Sequence, residues 1–268
     1  LYRLVGSEMC IRDRLTGALP VHVPVRRDNY HPDFDELEAH VNENTKAIIL
    51  NTPNNPTGAV YTPDETKRLV DFAVKHDLWI LDDMIYSTLV WTDVGYTSPC
   101  AFEGGSERTV TIGGWSKGWA MTGWRLGWIT GPTEVMDGVK VVNVSSATHV
   151  PTFLMPAAAK ALSLDEEVQV MKDAFAERRV LMHQGLSSLP GFVVPEPEGA
   201  FYILCDITGT GLTDIEFAHQ ALEHAQVQVI PGSLMKGGDG LIRISYATSI
   251  ANIHEGVRRL REWLESRS

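Results

Sequence analysis

Short apolar runs alternate with amphipathic segments from about residue 19 onward. A strand pattern covers Val21, Val23 and Val25, and residues 34–41 fit a short helix. Further strands are predicted at the runs 46–50, 78–81, 109–112 and 126–130. Thr62-Pro63-Asp64-Glu65 predicts the start of a helix, because Thr caps, Pro suits the first turn and Glu closes a capping box. Strands separated by helices predict a mainly parallel α/β sheet sandwiched by helices.

The pattern changes in the second half of the chain. Residues 133–190 are predicted to be mainly helical, and three short strands follow at 199–206, 226–230 and 240–246, with two helices. The last helix carries an apolar stripe with three- and four-residue spacing. We therefore expect a large domain at 15–165 and a smaller α+β C-terminal domain at 166–268.

Composition and charge narrow the range of functions. The 268 residues are 44% hydrophobic, as in ordinary globular proteins, and 23 basic against 34 acidic residues give a net charge of −11. An acidic chain without a basic run is a poor candidate for binding nucleic acid or anionic membranes. The longest apolar runs fall far short of the ~20 residues of a membrane span.

The cysteines and histidines point to a reducing compartment and no metal site. Cys10, Cys100 and Cys205 are widely spaced and form no Cys-x-x-Cys pair, which favours reduced thiols and a cytoplasmic location. The nine histidines show no metal-ligand spacing. We expect no bound metal.

Residues 1–14 have neither helical nor strand periodicity, and they lack the apolar core of a signal peptide. The run from Arg3 to Asp13 resembles the translation of a transposase adapter used in sequencing libraries. We therefore expect a non-native leader that includes Cys10, in front of an N-terminally truncated protein. The alternative is a native disordered tail.

Polar groups follow three of the predicted strands. Asn51–Gly58 follows the first buried strand, Asp82-Asp83 the second, and Ser116-Lys117 the third. Ligands of open α/β sheets bind beyond the carboxyl ends of the strands, so these groups predict one site. Asp82 and Asp83 point to opposite faces of their strand, so one should face the site and the other should be solvated or cap a backbone group.

Lys117 lies in a glycine-lined, aromatic-rich segment that runs from Gly113 to Trp128. A lysine in such a setting is expected to be partly desolvated, which favours imine chemistry, although a lone lysine is more often on the surface. Arg125, eight residues further on, offers a planar fork that suits a phosphate.

Four segments in this order resemble the class I/II aminotransferases, which are fold-type I enzymes that use pyridoxal 5′-phosphate (PLP). The resemblance is to the aspartate-aminotransferase-like branch and runs from about residue 17 to the C-terminus. Any one motif could occur by chance, but four in order are specific. The segments are Asn51-Thr-Pro-Asn-Asn-Pro-Thr-Gly58, Asp83-Met-Ile-Tyr86, Ser116-Lys117 through Arg125, and Arg243-Ile-Ser-Tyr246.

The resemblance implies a role for each residue. Lys117 would hold PLP through an imine and later move a proton between the substrate Cα and the cofactor, and Asp83 would keep the pyridine nitrogen protonated. Tyr86 and Asn55 would donate hydrogen bonds to the phenolic oxygen of the ring, and Ser116 and Arg125 would bind the phosphate. Arg243 would clamp the α-carboxylate of the substrate, and Asn55 would also contact the substrate. A cis Asn55–Pro56 bond is also implied.

Plainer interpretations exist for several of these residues. Asn55 could shape an Asn-Pro turn, Tyr86 could be a core aromatic on a helix after the strand, and Arg243 alternates with Ile242 and Ile244 as a solvent-facing strand residue would. Complete relatives also carry an N-terminal arm, a phosphate-binding loop and an aromatic ring stacked on the pyridine. Without counterparts to these, we expect weak PLP binding and little turnover from this chain.

The function expected from the resemblance is transamination between an L-amino acid and a 2-oxo acid, by a homodimer when full length. One alternative is a PLP-dependent carbon–sulfur β-lyase, although such enzymes tend to carry His where Tyr86 stands. Another is the effector domain of a PLP-sensing transcription regulator, which usually alters the Asn-Pro-Thr-Gly motif. A third is a protein with this fold and no activity.

Overall fold

A computed structural model describes residues 17–267, so the expected leader at 1–14 and Cys10 lie outside the described residues. Contacts within the chain define two units. The N-terminal unit comprises residues 42–174 together with Glu198–Ala200; the C-terminal unit comprises the described residues up to Val41, Phe175–Pro197 and the chain from Phe201 onward. The domain limits expected from the sequence, 15–165 and 166–268, stay a prediction.

The N-terminal unit contains a four-stranded sheet in the order β1-β2-β3-β4. The strands are β1 (Ala47–Asn51), β2 (Trp79–Asp83), β3 (Thr109–Gly114) and β4 (Gly127–Thr130). The first three are parallel, whereas β4 runs antiparallel to β3. The prediction of an α/β fold with a mainly parallel sheet is therefore confirmed.

Helix α2 (Pro63–Lys75) begins where its sequence predicts. The Thr62 hydroxyl accepts a hydrogen bond from the Glu65 amide at 3.2 Å, and the Glu65 carboxylate accepts one from the Thr62 amide at 2.9 Å. This is the predicted capping box, which satisfies amide groups that have no partner inside a helix. The other helices that begin in this unit are α3 (Thr133–Ser146), α4 (Met155–Ala161) and α5 (Asp165–Ser187).

Several strand predictions are wrong in detail. In place of the strand predicted around Val21–Val25, the described residues contain only an isolated bridge between Val25 and Pro32, since Pro24 has no amide hydrogen to donate. Strand β1 was predicted to be buried, but Leu50 is its only buried residue. The others are exposed or half-buried because β1 forms an edge of the described sheet. The strand predicted at 226–230 is reduced to β6 (Ile230–Pro231), and Gln226 adopts a left-handed backbone that an extended strand excludes.

The C-terminal unit is built on a three-stranded antiparallel sheet in which β7 (Leu241–Ser245) lies between β5 (Tyr202–Asp206) and β6. Its helices are α1 (Phe34–His40), α6 (Asp214–His224), α7 (Ile250–Ser266) and the part of α5 from Phe175 onward. The predicted apolar stripe of the last helix buries Ile253, Leu260 and Leu264 in the core. Among the described residues, no helix has both the length and the apolar character needed to cross a membrane.

Phe217 of α6 provides a test of this core. It is fully buried, and its ring meets those of Phe192 and Trp263 edge-on, with centroids 5.6 and 5.1 Å away. We expect Phe217→Ala to lower the free energy of unfolding by about 3–5 kcal/mol, because it removes these contacts and leaves a cavity. The measurement is urea denaturation of the purified chain.

The matched control is Ile215→Ala on the same helix, where the side chain is 42% exposed. It should cost about 1 kcal/mol or less. Equal losses for the two variants would show that Phe217 does not contribute more to the core than an exposed residue of the same helix.

Candidate functional site

The register of the parallel strands brings the predicted polar groups to one edge of the sheet. Asn51 at the end of β1 pairs with Asp83 at the end of β2, and Asp83 pairs with Ile112 of β3. Strand β3 ends two residues later, and Lys117 follows in a turn. Because paired strands lie about 4.8 Å apart, the three segments start side by side.

The loop Asn51–Gly58 is ordered by its own side chains. The Asn51 side-chain amide donates to the carbonyl oxygen of Asp83 at 3.2 Å, and its side-chain oxygen accepts from the Asn55 amide at 2.9 Å. The Asn54 side-chain oxygen accepts from the amide and the hydroxyl of Thr57 at 3.1 and 2.8 Å. These local bonds compete with regular structure and leave Asn55 exposed at the sheet edge.

Both prolines of this loop follow cis peptide bonds. The bond between Asn55 and Pro56 is cis, as the resemblance implies, and so is the bond between Thr52 and Pro53, which was not predicted. The loop-fixing roles of Asn51 and Asn54 were also missed. The available signal was the tendency of Asn side chains to bond nearby backbone groups in turns.

Asp83 and Tyr86 lie at the end of β2 and in the turn that follows. One carboxylate oxygen of the half-buried Asp83 accepts a hydrogen bond from the Ile85 amide at 3.2 Å, which orients the carboxylate. Tyr86 is only 4% exposed, and it lies in a turn, not on a helix.

Asp82 contradicts the expectation that the second carboxylate would be solvated or cap a backbone group. It is fully buried, and its Oδ2 accepts a hydrogen bond from the Tyr96 hydroxyl at 2.5 Å and a longer one from the Thr111 hydroxyl at 3.5 Å. Its Oδ1 is buried without a hydrogen-bond partner in the described part of the chain. Burial raises the pKa of Asp82 to about 6, against the opposing effect of the Tyr96 hydrogen bond.

Lys117 lies between two fixed neighbours. The indole of Trp115 donates to the carbonyl oxygen of Ala158 on α4 at 3.0 Å. On the other side, a Cβ added to Gly118 would lie 2.2 Å from the Thr88 hydroxyl, so this position accepts only glycine without rearrangement. Lys117 itself is half-buried, as is Ser116 before it.

The two candidate arginines belong to different units. Arg125 is exposed in the N-terminal unit, with a left-handed backbone (φ 54°), and its guanidinium donates to the carbonyl oxygen of Thr122 at 3.2 Å. Arg243 is half-buried on β7 of the C-terminal unit, and its guanidinium carbon lies 4.7 Å from the ring centre of Tyr202. This ring contact was not predicted. That Arg243 takes part in the same site as Lys117 stays a prediction.

Glu198–Ala200 is a segment of the site region whose role was missed. Glu198 Oε2 accepts from the Val60 amide at 2.8 Å, the Gly199 amide donates to the carbonyl oxygen of Gly58 at 2.8 Å, and the Trp91 indole donates to that of Ala200 at 3.2 Å. These bonds fasten the segment to the end of the Asn51–Gly58 loop. No sequence signal connects Glu198 with Val60, 138 residues earlier.

The donor set at this edge suits an organic ligand better than a cation. It comprises the amine of Lys117, the carboxylate of Asp83, the hydroxyl of Ser116 and the side-chain amide of Asn55. The exposed guanidinium of Arg125 lies in the same unit. An amine bonds to carbonyl carbon, and hydroxyls and guanidinium groups bind phosphate. Within residues 17–267 no group of three or more His, Cys, Asp or Glu side chains could hold a metal ion.

Comparison with known proteins agrees with the resemblance that the sequence motifs indicate. The family model described as aminotransferase class I and II matches residues 12–260. The chain is 39% identical to an aspartate aminotransferase of Pyrococcus abyssi and 40% identical to aromatic-amino-acid aminotransferase 2 of Thermococcus litoralis, over 94% of its length in each case. It spans 66% of the length of each relative. A crystal structure of an aromatic aminotransferase from Pyrococcus horikoshii superposes with a TM-score of 0.91 at 38% identity, covering 94% of this chain and 69% of that one.

The buried carboxyl of Asp82 predicts a specific dependence of stability on pH. Its pKa is raised from 3.8 to about 6 in the folded chain, so the folded state holds a proton that the unfolded state has lost between these values. The contribution of Asp82 to stability is therefore largest below about pH 4 and is lost as the pH rises to about 6. We expect Asp82→Asn to gain stability relative to the unaltered chain by up to about 3 kcal/mol between pH 4 and pH 7.

Urea denaturation at several pH values measures this difference. Asp71→Asn, which removes an exposed carboxylate of α2, serves as the control for the loss of one charge. A stability difference between Asp82→Asn and the unaltered chain that stays constant from pH 4 to pH 7 would contradict the prediction.

Proposed function

The chain belongs to aminotransferase class I and II, and we propose on that premise that it forms the catalytic part of a PLP-dependent enzyme that exchanges an amino group between an L-amino acid and a 2-oxo acid. One observation carries the proposal. Lys117 follows the strand that pairs with β2, and β2 ends in Asp83, so an amine and a carboxylate stand at the same sheet edge. None of the relatives named above is a carbon–sulfur lyase or a transcription regulator.

The residues at this edge match PLP group by group. An amine suits the aldehyde, a carboxylate suits the pyridine nitrogen, a phenol and an amide suit the ring oxygen, and a hydroxyl with a guanidinium suits the phosphate. When bound, PLP supplies an aldehyde that takes up an amino group and a protonated ring that withdraws electrons from the substrate α-carbon. We propose that Lys117 binds the aldehyde and Asp83 the pyridine nitrogen. We assign Tyr86 and Asn55 to the ring oxygen, and Ser116 with Arg125 to the phosphate.

Lys117 has two tasks in this proposal. Its Nζ would hold the cofactor through the aldehyde and, when free, would serve as the base that moves a proton between the substrate Cα and the cofactor C4′. Asp83 keeps a proton on the ring nitrogen, because an adjacent negative charge favours the protonated form. The hydrogen bond from the Ile85 amide fixes the Asp83 carboxylate for this task.

Substrate binding is proposed for Arg243 and Asn55. A guanidinium can hold an α-carboxylate through two parallel hydrogen bonds, and the contact with the Tyr202 ring restricts the orientation of the Arg243 side chain. The two relatives are named for different substrates, aspartate and the aromatic amino acids. We therefore propose an L-amino acid as the substrate without specifying which one.

We also propose that the whole protein works as a homodimer in the cytoplasm. The cysteines in the described residues support a reducing compartment, since Cys100 and Cys205 are both free thiols.

Covalent attachment of PLP to Lys117 can be tested without turnover. The purified chain is mixed with excess PLP, reduced with borohydride and digested, and we expect mass spectrometry to find the pyridoxyl group on the peptide with Lys117. Lys117→Ala should lose this label at the site, because no other amine replaces it there. Lys140→Ala, an exposed lysine of α3, is the control and should label as the unaltered chain does.

Labelling spread over many lysines, or unchanged in Lys117→Ala, would contradict the assignment. Where the label is specific, adding single L-amino acids and measuring release of the 2-oxo acid identifies the donor.

Arg125 is assigned to the phosphate, so its loss should affect PLP and pyridoxal differently. Arg125→Ala is expected to raise the dissociation constant of PLP about 10-fold or more, the usual worth of a hydrogen bond between charged groups. Pyridoxal, which has no phosphate, should bind Arg125→Ala as it binds the unaltered chain. Fluorescence titration measures both constants, and Arg68→Ala on α2 is the control for losing an arginine. An equal loss of affinity for both ligands would show that Arg125 does not bind the phosphate.

A further inference from the structure

The proposed mechanism leaves one buried ionisable group of the N-terminal unit without a task. Asp82 is fully buried directly beside Asp83, on the opposite face of β2. Burying a carboxylate costs free energy, and a neutral side chain of similar size would hold the same contacts at lower cost. A charge kept in such a place calls for an explanation other than packing.

We propose that Asp82, held by Tyr96, is a positioning residue that places a second negative charge behind Asp83 and so strengthens the hold of Asp83 on a protonated pyridine nitrogen. The inference rests on the proposed function, because it concerns how Asp83 pairs with PLP. Neither Asp82 nor Tyr96 belongs to the motifs that carry the family resemblance.

The hydrogen bond from Tyr96 makes the charge possible. Its hydroxyl lies 2.5 Å from Asp82 Oδ2, and Thr111 of β3 gives a second, longer contact to the same oxygen. A donor to a carboxylate favours the ionised form, which partly offsets the cost of burial. Both contacts also fix the end of β2 from the face opposite to Asp83.

The groups that face Asp82 are few. Tyr96 faces it from the loop after β2, Thr111 from β3, and Asp83 acts on it along its own strand, while Ser98 and, more weakly, Cys100 act on Tyr96. Burial is the main cause of the raised pKa of Asp82, and repulsion from the neighbouring Asp83 carboxylate adds a smaller increase. A cation bound to Asp83 relieves this repulsion, and ionised Asp82 therefore favours the cationic form of the ring.

Three variants of the 268-residue chain separate charge from structure. Asp82→Asn keeps the shape and an oxygen that can accept from Tyr96, but it removes the charge. Tyr96→Phe keeps the carboxyl but removes its donor, so more of Asp82 is protonated at neutral pH. Asp71→Asn removes an exposed carboxylate of the same unit and is the control. Far-ultraviolet circular dichroism verifies that each variant folds.

The readouts are the dissociation constant of PLP and the ¹⁵N chemical shift of PLP labelled at the ring nitrogen, both measured from pH 5 to pH 9. At pH 8 we expect Asp82→Asn to bind PLP about three- to tenfold more weakly, the order of effect for one charge acting across a partly buried strand. Its ¹⁵N signal should move toward that of the neutral ring. At pH 5 the difference should vanish, because Asp82 is then mostly protonated in the unaltered chain too.

Tyr96→Phe should bind PLP more weakly than the unaltered chain at pH 7 and approach it at pH 9, because loss of the Tyr96 hydrogen bond raises the pKa of Asp82. Equal PLP binding and equal ¹⁵N shifts for the unaltered chain and Asp82→Asn would overturn the inference, and so would a loss of affinity that is the same at pH 5 and pH 8. If the unaltered chain does not bind PLP at all, the proposed function fails together with the inference.

Discussion

Parallel pairing of β1, β2 and β3 is the constraint on which the candidate site depends. Asn51, Asp83 and Ile112 are aligned by backbone hydrogen bonds, so residues far apart in sequence start their loops at the same edge. A shift of one residue in this register would turn Asp83 to the opposite face of β2. The side-chain amide of Asn51 reinforces the alignment through its bond to the carbonyl oxygen of Asp83.

The same constraint explains how two neighbouring carboxyls acquire different properties. Asp83 points to the open edge and receives a backbone hydrogen bond, whereas Asp82 points to the buried face and depends on Tyr96. Successive side chains of a strand point to opposite faces, and this alone gives the two aspartates different surroundings. The chemistry assigned to Asp83 therefore depends on backbone geometry as much as on its own side chain.

Local signals in the sequence predicted the elements that local physics controls. The capping box at Thr62 and Glu65 and the next three strands, β2, β3 and β4, depend on neighbouring residues and are found where expected. The pattern of Val21, Val23 and Val25 was misleading, because alternation does not register the missing amide of Pro24. The partners of Asp82 and Glu198 were beyond prediction, because Tyr96 and Val60 reach them through the folded chain and not through any periodic pattern.

The attachment of Glu198–Ala200 to the N-terminal unit affects how this gene can exchange parts with its relatives. Those three residues lie between stretches of the C-terminal unit, yet their hydrogen bonds run to Gly58, Val60 and Trp91. A single crossover between two homologous genes that brings in a foreign C-terminal half also brings in a foreign version of this segment. Recombinant chains would therefore keep the fit around Pro53 and Val60 only where the incoming segment carries glycine in place of Gly199, which packs too closely against both for any larger residue.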